Sequence, residues 1–247
     1  MSKSVIVIPC YNEAARLRLD DFAALARAGA LSLLFVNDGS TDGTGVLLDR
    51  YRQAAPALID VLHLLANQGK AEAIRQGLLF ALDKNATYVG FADADLATPA
   101  SEIHRLLSIL REGPESVHAV FGSRIRRLGA AITRHALRHY LGRTFATAVS
   151  FYLQIPIYDS QCGAKMFRAS AALRAALETP FRSRWIFDVE LIQRLLRQYQ
   201  TLDGRPAERF LEVPLTEWQG VQGSKVRAMT FVRAGIDFVR MIGLSRQ

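Results

Sequence analysis

Through the first half of this chain, apolar runs rich in β-branched residues alternate with segments of helical periodicity. SVIVIP (4–9), LSLLFVNDG (31–39), DVLHLL (60–65), TYVGFADAD (87–95) and HAVFGSR (118–124) read as strands. Between them the apolar positions follow a helical repeat: Val46, Leu47, Leu48 and Tyr51 in 42–54; Ala73, Ile74, Leu78, Leu79 and Leu82 in 70–82; Ile103, Leu106, Leu107 and Leu110 in 101–111. Near-continuous apolar strands are buried on both faces, so the alternation predicts a mostly parallel α/β sheet with helices on either side. Asp42 and Ser101 read as helix N-caps. Beyond residue 125 the pattern changes to long helical stretches near 130–154, 169–178 and 187–199. A late strand, RFLEVPL, follows, and then an amphipathic segment, VRAMTFVRAGIDFVRMIGL. No internal repeat or Pro/Ser linker interrupts it, so 1–247 reads as one domain with a C-terminal helical elaboration.

Composition narrows the class. At 247 residues, 50% hydrophobic and 22% charged, the chain carries enough apolar surface for a core and does not read as disordered. No apolar run reaches the roughly 18 residues of a membrane span, and the N-terminus lacks a signal peptide's cleavage region. Cys10 and Cys162, without a CxxC, give neither a disulfide framework nor a zinc knuckle; the chain reads as reduced and cytosolic. The net charge is +8, and it is unevenly placed. Residues 116–158 hold six Arg, three His and no acid among many apolar residues. Such a block fits either a solvated Arg-rich face or an anionic partner. Nucleic acid is disfavoured, because no recognised binding module accompanies the basic charge.

Polar residues collect where the strands end, the place where open α/β sheets bind ligands. The first strand ends in Pro9-Cys10-Tyr11-Asn12-Glu13, the second in Asn37-Asp38-Gly39-Ser40, the fourth in Asp93-Ala94-Asp95. An Asp-x-Asp at a strand exit presents hard oxygen ligands to Mg²⁺ or Mn²⁺, which bridges to a diphosphate. Taken singly, Asp38 and Asp95 also read as turn residues. Three such clusters in register are much less expected by chance. No GxGxxG supports a dinucleotide fold.

The combination resembles family 2 glycosyltransferases of GT-A fold. It is carried by IPCYNE (8–13), VNDGSTDGT (36–44), NQGKAEAIRQG (67–77) and FADADLATP (91–99). FGSR (121–124), DSQCGAKMF (159–167), RWIFDVEL (184–191), EVPLTEW (212–218) and GSK (223–225) are similar to the later motifs of its dolichyl- or polyprenyl-phosphate glucosyltransferase branch. The resemblance implies a nucleotide-sugar half over about 1–125, an acceptor half over about 126–225 and a terminal amphipathic helix over about 226–243. It implies that Pro9, Tyr11, Glu13 and Asp38 hold the nucleoside, that Lys70 lies at the donor phosphates, and that Asp93 and Asp95 serve donor and metal. Arg124, Arg134 and Arg138 would face the acceptor phosphate; Asp159, Gln161, Trp185 and Asp188 would line the sugar and acceptor region. Two departures stand out. The family's Asp-Asp-Gly-Ser begins here with Asn37, and the Gln that the mannosyl branch places after its Asp-x-Asp is Ala97, as in the glucosyl branch.

The resemblance therefore implies an inverting transfer of a hexose, glucose from UDP-glucose, to a polyprenyl or dolichyl phosphate. A metal ion would offset charge on the departing diphosphate. A phosphate monoester, with a second pKa of about 6, is already largely a dianion at neutral pH and needs positioning more than deprotonation; Arg suits that task. Asp159 is the candidate base, with holding Arg124 as its alternative role. The stretches 130–154 and 225–243, with Arg134, Arg138, Arg143 and Phe151 in the first, read as interfacial helices for an anionic membrane surface or as core-packing helices, the second equally as a dimer contact. The protein is expected on the cytoplasmic face. Competing readings are a GDP-mannose donor, a soluble phosphate or hydroxyl acceptor, and a non-catalytic nucleotide-sugar-binding protein.

Overall fold

The computed structural model describes residues 3–133, 136–203, 205–220 and 235–241. Seven strands form the central sheet: β1 (Ser4–Cys10), β2 (Ser32–Asp38), β3 (Ile59–Leu64), β4 (Tyr88–Ala92), β5 (Ala119–Ser123), β7 (Ala164–Arg168) and β8 (Phe210–Pro214). Their order is β3-β2-β1-β4-β7-β5-β8. Neighbours run parallel, except that β7 lies antiparallel between β4 and β5. A two-stranded parallel pair, β6 (Ala131–Thr133) with β9 (Glu217–Gln219), stands apart.

Helices cover both faces, as near-continuous apolar strands require. On one face α1 (Leu19–Gly29) and α4 (Ala100–Glu112) bring Phe22, Leu25, Ile103, Leu106 and Leu110 against Ile6, Ile8 and Phe35. On the other, α3 (Lys70–Asp83), α6 (Ala171–Leu177) and α7 (Phe187–Asp203) bury Ile74, Leu78, Leu173, Ile192 and Leu195 against Val7, Val36 and Phe91. Val149 and Leu153 of α5 (Ala136–Leu153) join that second core. α2 (Thr44–Ala54) connects β2 to β3. The chain leaves β1 towards β2 and β3, then returns to the other flank of β1 with β4. That reversal is the topological switch point, where the carboxyl ends of neighbouring strands diverge and leave a crevice.

α3 seats on the sheet through Gly77. A Cβ there would lie 2.5 Å from Val7 Cγ1 and 2.8 Å from Val36 Cγ2, both in a core with no room to yield. Overpacking costs about 1–3 kcal/mol, more than the roughly 1 kcal/mol that Ala gains over Gly in a helix. Gly77→Ala is expected to lower the melting temperature by a few degrees, at about 2–4 °C per kcal/mol for a chain of this size; an unchanged or raised value would contradict this packing.

The sequence reading differs from the structure in particular places. Ser101 does not cap α4: the helix starts at Ala100 with Pro99 before it, and no side chain caps it. The stretch 130–154 is not one helix. Residues 131–133 form β6, because Ile132 is buried beside the partly buried Trp218 and the Ala131 N–H is donated to the Thr216 carbonyl. α1 and β7 were not anticipated. In the terminal segment, Phe238 is buried against the rings of Phe145 and Tyr152, so the described part, 235–241, packs on the core; Lys225, Arg227, Met229, Phe231 and Arg233 lie outside the described residues. Cys10 and Cys162 are both free and buried, and burial pushes the Cys162 thiol up to about 11.

Candidate active site

Two loops knit together at the carboxyl ends of β1 and β2. Asn12, in left-handed backbone geometry, accepts the Thr41 N–H at its side-chain oxygen and donates its own N–H to Ser40 Oγ. The Glu13 N–H is donated to Thr44 Oγ1, and Asp42 accepts the N–H groups of Thr44 and Ala14. Pro9 lies within β1 opposite Val36. Tyr11 presents its ring at 37% exposure. Glu13 is buried; its carboxylate grips the Arg16 guanidinium at Nε and, at 2.6 Å, at Nη2. That bond first, then the charges of Glu13 and Asp95, hold the Arg16 pKa up. Glu13 thus sets an arginine beside the Asp-x-Asp rather than presenting a free carboxylate.

Asp38 is also committed. Its carboxylate accepts the backbone N–H groups of Gln68 and Gly69, each at 2.8 Å, and the Asn67 side-chain amide at 2.9 Å. This ties the end of β2 to the turn that opens α3. The adjacent Gly39 is obligatory: its φ is +61°, and a Cβ would sit 2.4 Å from the Ala66 carbonyl carbon. Asn37 has its own assignment. Its oxygen accepts the Ser40 N–H, so its nitrogen faces His63 Nδ1 at 3.0 Å, and His63 Nε2 lies 3.2 Å from Asp49. The amide therefore donates to Nδ1, and the imidazole carries its proton on Nε2. An Asn in this motif position is accounted for by the histidine on β3.

Asp93 and Asp95 follow β4. Asp93 Oδ1 lies 2.5 Å from Lys70 Nζ at the start of α3. Asp95 Oδ1 accepts the Ala97 N–H at 3.0 Å. Burial first, then the charge of Asp93, raise the Asp95 carboxyl above the ordinary range. Burial would lower Lys70, but Asp93, Asp188 and Asp95 outweigh it and hold the ammonium charged. No group of three or more His, Cys, Asp or Glu among the described residues forms a complete metal cage. Two mutually repelling carboxylates at a crevice suit Mg²⁺ or Mn²⁺, which bind through one or two carboxylates plus substrate phosphate oxygens. The donor set fits such an ion.

The acceptor-side residues form a second charged group. Arg124, just past β5, makes a fork with Asp159: Nε to Oδ2 and Nη2 to Oδ1, both 2.7 Å. Its backbone N–H is also donated to Asp159, Nη2 reaches the Gln161 carbonyl at 3.0 Å, and the guanidinium lies over the Trp218 ring. Burial would lower the Arg124 pKa, but Asp159 outweighs it, with a smaller contribution from Asp93, and raises it. Glu212 of β8 fixes the turn from below, accepting the Tyr158 and Asp159 N–H groups at 2.8 and 2.6 Å. Asp159 is therefore not a free base; it is the buried counter-ion of Arg124, the alternative role the sequence left open. The Gln161 amide nitrogen is buried with no hydrogen-bond partner among the described residues. Asp188, in the first turn of α7, is buried on Lys165 Nζ at 2.6 Å, and Lys165 itself is 0% exposed. That places Asp188 inside an ion pair rather than on an open acceptor surface, although it remains within electrostatic reach of Lys70. Trp185 is 39% exposed, and the Arg184 side chain lies over Gly69, ahead of Lys70. Arg134, the side chain of Arg138 and the GSK motif lie outside the described residues.

The structure thus brings Glu13, Lys70, Asp93, Asp95, Arg124, Asp159, Gln161 and Asp188 to one end of the sheet. Sequence reasoning gave no role to Arg16, nor to Gly163, Lys165, Glu212 and Trp218, although these four stand inside the DSQCGAKMF and EVPLTEW motifs. The one signal in reach was a lysine inside an otherwise apolar strand, AKMF, which implies a buried counter-ion.

The profile of the family described as Glycosyl transferase family 2 matches residues 5–174. A dolichyl-phosphate β-glucosyltransferase of Drosophila melanogaster is 33% identical over 90% of this chain and 68% of its own length. One from Trichomonas vaginalis is 30% identical over 96% of this chain and 70% of its own. Among solved structures, glucosyl-3-phosphoglycerate synthase from Mycobacterium tuberculosis, in complex with Mn²⁺, UDP and glucosyl-3-phosphoglycerate, superposes with a TM-score of 0.64 at 21% identity, covering 99% of this chain and 80% of that one. That likeness is one of fold: a GT-A sheet.

Proposed function

The chain belongs to glycosyl transferase family 2, and from that premise we propose that it transfers glucose from UDP-glucose to the phosphate of a polyprenyl lipid, dolichyl phosphate or a relative of it. The observation that carries the reading is the meeting, at one end of the sheet, of a paired carboxylate beside a lysine with a buried arginine fork. It accords with the activity named for the relatives from Drosophila and Trichomonas.

Pro9, Tyr11 and the Asp38-anchored turn would frame the nucleoside. Lys70 and Arg16 set positive charge on either side of the Asp-x-Asp, where Asp93 and Asp95 would hold Mn²⁺ or Mg²⁺. Once bound, the ion supplies charge neutralisation for the departing diphosphate. Arg124, its Nε and Nη2 engaged by Asp159 and the Gln161 carbonyl, would meet the acceptor phosphate with Nη1. That dianion attacks the anomeric carbon without needing a base. An in-line displacement inverts the centre, so an α-linked donor gives a β-linked lipid phosphate sugar. Arg134 and Arg138 are proposed to add positive charge on the same side.

No described helix is long and apolar enough to cross a membrane, so we propose that the chain meets its lipid at an anionic surface. Arg126 and Arg127 are exposed beside a fully exposed Leu128, and Phe151 of α5 is 74% exposed; such pairings of cation and apolar group favour the interface. The test is a turnover comparison with Mn²⁺ present. Short-chain polyprenyl phosphate in anionic vesicles is offered against soluble 3-phosphoglycerate, each with UDP-glucose and with GDP-mannose. Transfer is expected from UDP-glucose to the lipid, weakening with salt. Turnover confined to the soluble phosphate would overturn the lipid reading, and a preference for GDP-mannose would overturn the glucosyl one.

A further inference from the structure

β7 enters the sheet antiparallel to β4 with Ala164 opposite Ala92. Continuing that register places Gly163 opposite Asp93, and opposed residues of an antiparallel pair project to the same face. The Asp93 carboxylate leans across the gap. A Cβ built on Gly163 would lie 2.1 Å from Asp93 Oδ2, 2.5 Å from its Cγ and 2.9 Å from Oδ1. The carboxylate thus occupies the space any other residue would fill with its side chain. Its Oδ1 is at the same time held 2.5 Å from Lys70 Nζ. The residue is clamped from two elements, by a cation of α3 and by the bare backbone ahead of β7. The segment 159–165 repeats this service along its length: Asp159 holds Arg124, Gly163 seats Asp93, Lys165 holds Asp188.

We propose that Gly163 is a positioning residue for the metal-binding carboxylate, its missing side chain being what aims Asp93 into the crevice. The inference rests on the reading that Asp93 and Asp95 hold a divalent cation. What a methyl group at 163 would strike is the far end of a side chain, which can swing away, so the fold absorbs the change while the ligand geometry does not. Gly163→Ala is expected to melt within about 4 °C of wild type without metal, equivalent to roughly 1 kcal/mol. Its Mn²⁺ affinity, measured in the presence of UDP by the paramagnetic signal of free Mn²⁺, is expected to fall about 10–100-fold, the usual loss when a group orienting a metal ligand is changed.

A double-mutant cycle separates positioning from general damage. In an Asp93→Ala background, Gly163→Ala should weaken Mn²⁺ binding no further, since the carboxylate it displaces is already gone. An equal additional loss there would overturn the proposal, as would wild-type affinity in Gly163→Ala alone. Should Gly163→Ala fail to fold, the pair Asp93→Ala/Gly163→Ala decides: recovery of the fold supports the steric contact, and continued misfolding overturns it. Wild-type protein that binds no Mn²⁺ with or without UDP would overturn the metal reading and this inference with it; wild-type binding matched by Gly163→Ala would overturn this inference alone.

Discussion

Asp95→Asn is expected to slow transfer roughly 10³-fold while making the metal-free protein more stable. Burial and the neighbouring charge of Asp93 raise the Asp95 carboxyl above its ordinary value, so the folded state binds that proton more tightly than the unfolded chain does. Between the unfolded and folded pKa values, stability then falls as pH rises, and at neutral pH the ionised group opposes folding. The amide removes that charge without changing shape, so the metal-free melting temperature should rise. Function moves the other way. Neutralising a developing diphosphate charge is worth several kcal/mol, and a loss of about 4 kcal/mol is roughly a 10³-fold fall in turnover. Calorimetry makes the trade visible. Without ligand the variant melts above wild type; with Mn²⁺ and UDP, wild type gains stability by mass action and overtakes it. An Asp95→Asn protein that melts lower than wild type without metal, or that turns over at close to the wild-type rate, would contradict the arrangement.

What was legible in the sequence divides along physical lines. The alternation of apolar strands with periodic helices placed β1 to β5 and α2 to α4 within about two residues, except that the fourth strand was run to 95 where β4 ends at Ala92, because burial on both faces of a parallel sheet leaves a local signature. Asp93 and Asp95 were visible because strand ends are where this architecture gathers polar groups. β7 was hidden. Its pattern is broken by Lys165, a fully buried cation whose partner Asp188 stands 23 residues further on. Its apolar neighbours hint that this lysine is buried, but nothing local names the partner. The same limit applies to Asn37, whose place in the motif makes sense only beside His63 on another strand. Asp159 carried two readings that spacing could not separate, since base and counter-ion demand the same residue; the fork to Arg124 separates them. Gly163 stood in the DSQCGAKMF motif with nothing to show its role, because that role is the space it leaves to a residue 70 positions earlier.

Removing the arginine of that fork should do more harm than any other single change on the acceptor side. Arg124→Met removes both guanidinium bonds to the buried Asp159 carboxylate. Breaking a buried pair from one side typically costs about 3–5 kcal/mol, which for a chain of this size is on the order of 10 °C in melting temperature. Arg124→Lys should not rescue it: a single ammonium cannot span Asp159, the Gln161 carbonyl and the Trp218 ring together. The double variant Arg124→Met/Asp159→Leu should be more stable than Arg124→Met alone, because the buried charge is removed together with the guanidinium that offset it. The same series decides what Asp159 does. A counter-ion predicts that Asp159→Asn loses stability and weakens acceptor binding through a loosened Arg124, raising KM more than it lowers kcat. A general base predicts the reverse: an intact fold, kcat lost and the pH profile altered. With an acceptor phosphate already ionised near neutral pH and both Asp159 oxygens held by Arg124 at 2.7 Å, the first pattern is the one expected. Full stability with kcat abolished in Asp159→Asn would return that carboxylate to the chemistry.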